Sequence, residues 1–462
     1  MRALVTTLLL AAAPAFAADD SVSVDAKLVA LNHVRVIDGT GAAARPDQML
    51  VIEGGKIRSI GPAGKPPPGA QVLDLAGASV IPGLVGMHDH LFMTVLFLGV
   101  PFWNEAVTSA PRLYLASGVT TIRTTGSMEP YTDLNLKRMI DEGKVPGPKI
   151  HATGPYLEGA PTIAPQMHEL RDAEDARRTV EFWADQGATS FKAYMHITRA
   201  ELKAAVETSH KRGLKITGHL CAVTYREAAE IGIDDLEHGF FAATDFVPDK
   251  KPDVCPDMDL ESLAAIDPDG PAATGLIRSL VEHHVAITST LAVFEGLRDP
   301  ALPARVWRLL APEAAATTLM IRNRMFASPQ AAMHARAYAK DLALERAFVK
   351  AGGLLLAGAD PTGGGGILAG LADQRQVELL VDAGFTSLEA IHIATENGAR
   401  YLGEEKTIGT IAVGKQADLV VVRGDPSTKI ADIENVELVF KDGVGHDPEK
   451  LIAPVRGRVG LQ

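Results

Sequence analysis

The sequence predicts an α/β fold, a (β/α)8 TIM barrel with a small composite β-sandwich domain built from both chain ends. Three observations carry this. Short apolar strands alternate with amphipathic helices across residues 83–403, the pattern of repeated βαβ units around a parallel sheet. Eight such strands can be counted, the number that closes a barrel. Strand-rich blocks flank this middle at residues 18–82 and 404–462.

Taken in order, the chain begins with Arg2, an apolar run from Ala3 to Ala13, Pro14 and the small-residue signature Ala15-Phe16-Ala17. Residues 1–17 read as a secretory signal peptide cleaved before Ala18. Their apolar run is too short to span a bilayer, so the expected product is exported, periplasmic or secreted, with no transmembrane segment after signal cleavage. Next come LVALNHVRVIDG, then MLVIEGGKIRSIG with Gly54-Gly55 as a hairpin turn, then AQVLDL; the proline-rich stretch Lys65 to Gly69 reads as a surface loop.

Barrel strands are expected around Leu84 to His90, Thr120 to Arg123, Lys149 to Thr153, Ser190 to Tyr194, Lys215 to His219, Asp235 to His238, Ala286 to Thr290 and Leu354 to Asp360. Between them Ala173 to Gln186 reads as a helix stopped by Gly187, and Arg199 to Arg212 as one stopped by Gly213, with Thr198 and Glu201 forming a capping box. Two connections are long. Leu291 to Ser328 suits a lid or specificity element. The stretch from Leu91 to Ala110 contains LFMTVLFLGVPFW and reads first as a buried or dimer-contact helix, with a hydrophobic substrate wall or membrane-surface contact as alternatives. Strands return in GTIAVGKQADLVVVRGDP and VELVFKDG, Gly409 to Gly443.

Composition narrows the function. With 462 residues, 47% hydrophobic and 22% charged, the chain can bury a large core, which excludes disordered, collagenous and disulfide-scaffold classes. A formal charge of -12 argues against nucleic acid as a partner. Cys221 and Cys255 could pair in an oxidising compartment or remain free thiols.

The active site of a closed barrel lies at the carboxyl ends of its strands. There the sequence repeatedly places metal-ligand residues. His88 and His90 flank Asp89, and alternation along a strand puts both imidazoles on one face. His219, His238 and Asp360 close three further strands. In SFKAYMH the residues Phe191, Ala193 and Met195 are apolar, which turns Ser190, Lys192 and Tyr194 into the barrel. An ammonium buried beside two dications loses its proton, and the neutral amine can take up carbon dioxide as a carbamate that bridges two cations. Arg123 could grip a substrate carboxylate bidentately or form an internal salt bridge.

These segments, in this order, resemble the amidohydrolase superfamily: IPGLVGMHDH, GVTTIRTTG, VPGPKIHATG, FKAYMH, GLKITGHL, IDDLEHG, LLLAGADPTGGG, ATENGARYLG and GTIAVGKQADLVV. Within it the chain is most similar to the imidazolonepropionase-like branch that includes prolidase-type dipeptidases. The resemblance implies a distorted barrel with a composite β-sandwich and a binuclear, zinc-type centre. His88, His90 and Asp360 would then hold one ion, His219 and His238 the other, with N6-carboxylated Lys192 between the two divalent metal ions. It further implies a metal-bridging hydroxide as nucleophile, Asp360 as proton shuttle and Tyr194 as a substrate-binding, oxyanion-stabilising catalytic group. Lys192 separates the chain from genuine imidazolonepropionases and most single-metal deaminases of the superfamily.

Two departures fall on the substrate side. His219-Leu220-Cys221 stands where dipeptidase-like relatives often place an aromatic residue or histidine, and Arg123-Thr124 where many have Arg-Asp. The function expected is an exported metal-dependent amidohydrolase acting on a dipeptide or N-acyl amino acid, as a monomer or homo-oligomer. A lactone, carbamate or phosphotriester hydrolase and a non-catalytic protein of the same fold are the alternatives.

Overall fold

The computed structural model describes residues 20–97, 100–256, 260–295 and 302–460, so the segment read as a signal peptide lies outside the described residues. Eight parallel barrel strands form in chain order: Leu84–Asp89, Val119–Thr124, a third split into Lys149–His151 and Thr153–Leu157, then Ser190–Ala193, Lys215–Gly218, Asp235–Glu237, Ala286–Ser289 and Leu355–Ala357. They hydrogen-bond as two arcs, three strands ending on Lys149–His151 and six beginning at Thr153–Leu157. One junction of the arcs is therefore the break in strand three at Ala152. At the other, the amides of Ala359 and Asp360 donate to the His88 carbonyl at 3.2 and 2.9 Å, joining strand eight to strand one.

Alternation sets what each strand does. Phe191, Ile216, Leu236, Ile287 and Leu355 point outward and join the main apolar core under the helices. Lys192, Thr217, Glu237 and Thr288 are equally buried. They occupy the opposite, inward phase. The helix Ala173–Gln186 is capped by the Asp172 carboxylate, which accepts from the Asp175 amide, and ends at Gly187 in a left-handed conformation. Arg199–Lys211 starts with the Thr198–Glu201 capping box.

Strands from both chain ends form one continuous nine-stranded sheet, six from residues 22–82 and three from 419–446. Its own apolar core includes Leu31, Val36, Leu50, Val80, Leu419 and Val421. Gly54 and Gly55 both have positive φ, 56° and 80°, as a tight hairpin turn requires. Beyond the sheet the chain returns to the barrel, where the Val459 carbonyl accepts from the Ala311 amide at 3.0 Å.

Three features refine the sequence reading. The run after strand one is not a helix: Phe92–Phe97 pairs antiparallel with Val100–Glu105. β-Branched and aromatic residues favour the pleated form there, and Pro101 lacks the N–H that a helix interior needs. The long connection after strand seven contains helices Leu291–Glu295, Ala304–Trp307 and Pro312–Phe326. Cys221 and Cys255 are joined in a disulfide across Cα atoms 4.8 Å apart. Among the described residues no helix is long and apolar enough to cross a membrane.

Candidate functional site

The carboxyl ends of strands one, four, five, six and eight converge. In strand one the pairing register slips between Gly86↔Ile122 and Asp89↔Thr124, so one extra residue bulges there. His88, within the bulge, and His90, just past it, both meet Asp360, at 3.6 and 3.1 Å from its Oδ1. Strand eight approaches because residue 358 is glycine: a Cβ there would lie 2.3 Å from the His88 Cβ. Lys192 Nζ lies 3.3 Å from His88 Nε2. His238 Nδ1 is 3.9 Å from Asp360 Oδ2, and the His219 and His238 rings are 4.4 Å apart. Ligand atoms of His88, His238 and Asp360 lie within 4.8 Å of one another.

Electrostatics set the protonation states. Burial, then Lys192, holds His88 well below its ordinary pKa; burial also lowers His90. The same two causes bring His219 to about 3, while burial and then His219 depress His238. Burial lowers Lys192 to about 8, against the opposing pull of Glu237 and Asp360. Burial raises the Asp360 carboxyl, but His88, the His90 hydrogen bond and Lys192 outweigh it and keep it ionised. Neutral imidazoles, a carboxylate and an amine close to losing its proton form a donor set suited to divalent cations. The residues therefore fit a metal centre.

Beneath this cluster lies a second polar layer. Glu237 Oε2 is 2.6 Å from His88 Nδ1. The carboxylate selects the tautomer with hydrogen on Nδ1, leaving the Nε2 lone pair toward Lys192 and Asp360. Arg123 is 1% exposed: its Nε donates to the Met87 carbonyl and its Nη2 to Asp235 and Glu237 at 2.7 and 2.9 Å. The substrate-carboxylate role is thus corrected to the internal salt bridge, because the guanidinium is consumed below the site. Glu237 and Asp235 went unnoticed in the sequence, although their spacing of two in DDLEHG gave a strand-face signal. His151 also lies apart from the cluster, 3.5 Å from Glu404.

Aromatic rings surround the centre. Phe92 packs on His90 with centroids 4.4 Å apart, and Phe294 meets His238 at 5.7 Å. Tyr194 sets its edge against His219 at 5.1 Å; burial, then Asp360, raises its phenol pKa, so it remains a hydrogen-bond donor. A small cleft beside His219 is bordered by Cys221, Phe241 and Pro256, which places the disulfide next to the site.

Comparison with known proteins agrees with this architecture. The sequence profile of the Amidohydrolase family matches residues 79–249 and 346–444. A Bifidobacterium longum protein assigned as a prolidase superposes with a TM-score of 0.66 and 25% identity, covering 91% of this chain and 94% of its own. A Xaa-Pro dipeptidase with methionine bound in its active site gives 0.69 and 21% over 91% and 100%. Ochratoxinase from A. niger gives 0.65 and 16% over 94% and 99%. The latter two likenesses concern the fold alone. A dihydroorotase from Pelobacter propionicus is 34% identical over 84 residues, 18% of this chain, and the match spans only 19% of that enzyme.

Proposed function

The chain belongs to the Amidohydrolase family, and from that premise we propose that it is a metal-dependent hydrolase of carbon–nitrogen bonds. Its substrate is a small molecule of the dipeptide or N-acyl amino acid type. The observation that carries this reading is the convergence of His88, His90, Lys192, His219, His238 and Asp360 at the mouth of one barrel. His88, His90 and Asp360 would hold one divalent ion and His219 and His238 the other, with carboxylated Lys192 as a further ligand; zinc suits this nitrogen and oxygen donor set. Bound there, such ions would supply Lewis acidity toward water and the scissile carbonyl.

The chain's own residues supply the rest. Glu237 fixes the His88 ring through Nδ1. Asp360 accepts a proton from the attacking water on a carboxylate oxygen and delivers it to the leaving amine. Tyr194 donates its phenolic hydrogen to the oxygen that gains charge. Phe92, Tyr156 and Phe294 border the centre with apolar surface. For Lys192, uncharged amine attacks carbon dioxide, a carbon–nitrogen bond forms and one proton leaves, yielding the carbamate. The protein is exported, a reading that the Cys221–Cys255 disulfide supports.

Purified protein is tested by metal counting coupled to amide, dipeptide and N-acyl amino acid panels, with Lys192→Ala as control. Two ions per chain and amide turnover, both impaired in the variant, support the reading; a metal-loaded chain silent on all amides removes it. The aromatic surround favours one second reading, hydrolysis of bulky apolar lactones, carbamates or phosphotriesters by the same centre. Parallel rates on those substrates separate the two.

A further inference from the structure

His238 faces the site against the natural phase of its strand. Asp235 and Glu237 turn inward, where both meet Arg123, while Leu236 joins the outer core. Residue 238 would therefore point outward if the pleat continued. Instead His238 has φ 70° and Gly239 has φ 58°. This pair of left-handed residues reverses the chain and brings the imidazole beside Asp360. A histidine in that conformation persists only where its surroundings over-determine it.

The surroundings do so from two helices outside the barrel. Asp341, on Ala331–Lys350, accepts from the Phe240 amide at 2.6 Å through Oδ1. Tyr225, on Tyr225–Ile231, places its hydroxyl 2.8 Å from the Glu237 carbonyl and 3.1 Å from that of Gly239. Both side chains are buried, at 1% and 0% exposure. The turn is also fixed to strand seven, whose Thr288 carbonyl accepts from the Gly239 amide at 3.0 Å. Thr290 Oγ1 lies 2.9 Å from His238 Nδ1. That contact leaves Nε2 for a cation. Gly239 is dictated twice, by its φ and by the carboxylates: a Cβ would come 2.6 Å from Asp341 Oδ1 and 2.5 Å from Glu345 Oε1.

We propose that Asp341 and Tyr225 are positioning residues for His238, clamping the left-handed His238-Gly239 turn and thereby setting the affinity of one of the two metal positions. This rests on the reading of His238 as a metal ligand. Neither residue touches substrate; Asp341 acts through the backbone after the histidine and Tyr225 through the backbone on both sides of it. The clamp ties that affinity to the seating of two peripheral helices.

The full-length chain is dialysed against zinc buffered at a series of free concentrations, and bound zinc per chain is measured. Wild type takes two ions. Asp341→Ala and Tyr225→Phe lose about tenfold or more in affinity for one ion and keep the other. Asp341→Asn, whose amide oxygen still accepts from the Phe240 N–H, retains both. Leu202→Ala, a core truncation on Arg199–Lys211, lowers the melting temperature without selective loss of zinc. Should Asp341→Ala fail to fold, Tyr225→Phe carries the test by removing a single oxygen.

The clamp is overturned if both positions keep wild-type affinity in the clamp variants, if Asp341→Asn loses zinc as Asp341→Ala does, or if Leu202→Ala loses the same ion for the same thermal destabilisation. A wild-type chain that binds no zinc refutes the metal reading itself and the clamp with it. Two ions in wild type with unaltered variants refutes the clamp alone.

Discussion

Two polar layers are stacked inside the barrel, and they behave in opposite ways. In the lower one Arg123, Thr217, Asp235, Glu237 and Thr288 satisfy one another: the guanidinium donates to two carboxylates, and each threonine hydroxyl donates to a carboxylate. In the upper one the ligand atoms of His88, His238 and Asp360 lie within 4.8 Å of one another, with His90, Lys192 and His219 packed around them. Buried polar groups that complete each other build structure, whereas several ligand-type groups crowded into one pocket mark a functional site. The layers are coupled, for two carboxylates face one guanidinium below. Glu237, which accepts from Arg123 below, also touches His88 Nδ1 and strengthens its Nε2 as a donor.

The strongest way to break the distinction is Lys192→Ala. Loss of this upper-layer residue is expected to lower kcat/KM by about 10³-fold, the scale of removing one preorganised electrostatic group, and to lower the zinc content found by elemental analysis. Arg123→Leu probes the lower layer. It strands Asp235 and Glu237 as buried charges and should cost about 3–5 kcal/mol in urea unfolding. A substrate-binding Arg123 would instead raise KM at unchanged stability.

Glu237→Gln addresses the coupling between layers. It keeps a hydrogen-bonding side chain but removes the charge behind His88, so zinc affinity in chelator competition is expected to fall about 10–100-fold. A further effect, of similar size, is pH-dependent. In the metal-free chain Lys192 titrates near 8 when folded and near about 10.4 when unfolded. Between those values the unfolded chain binds more protons, so stability rises with pH. The melting temperature of metal-free wild type should climb relative to Lys192→Met from pH 8 to 10; a parallel course would contradict the buried amine.

The sequence made the upper layer legible because metal chemistry uses few residue types and a barrel places them at strand ends. Period-two alternation identified Lys192 as inward, and chain order identified the eight strands. Other features depended on contacts that no local pattern carries. The partners of Arg123 lie 112 and 114 residues away, so a lone arginine at a strand end could be read either way. DDLEHG cannot turn Glu237 and His238 inward by alternation; the left-handed backbone at His238 resolves the conflict. The apolar run after strand one fits helix and hairpin alike until Phe92 is seen against His90. Two cysteines separated by 34 residues give no reason to pair until the fold brings them together.

The central claim is that the upper layer is a two-ion site. Anomalous diffraction from zinc-loaded crystals, recorded at the zinc edge, tests it most directly. The account predicts two peaks at the barrel mouth, one among His88, His90 and Asp360 and one between His219 and His238, with density beyond Lys192 Nζ joining them. Zinc-loaded crystals with no peak among these six side chains would contradict it.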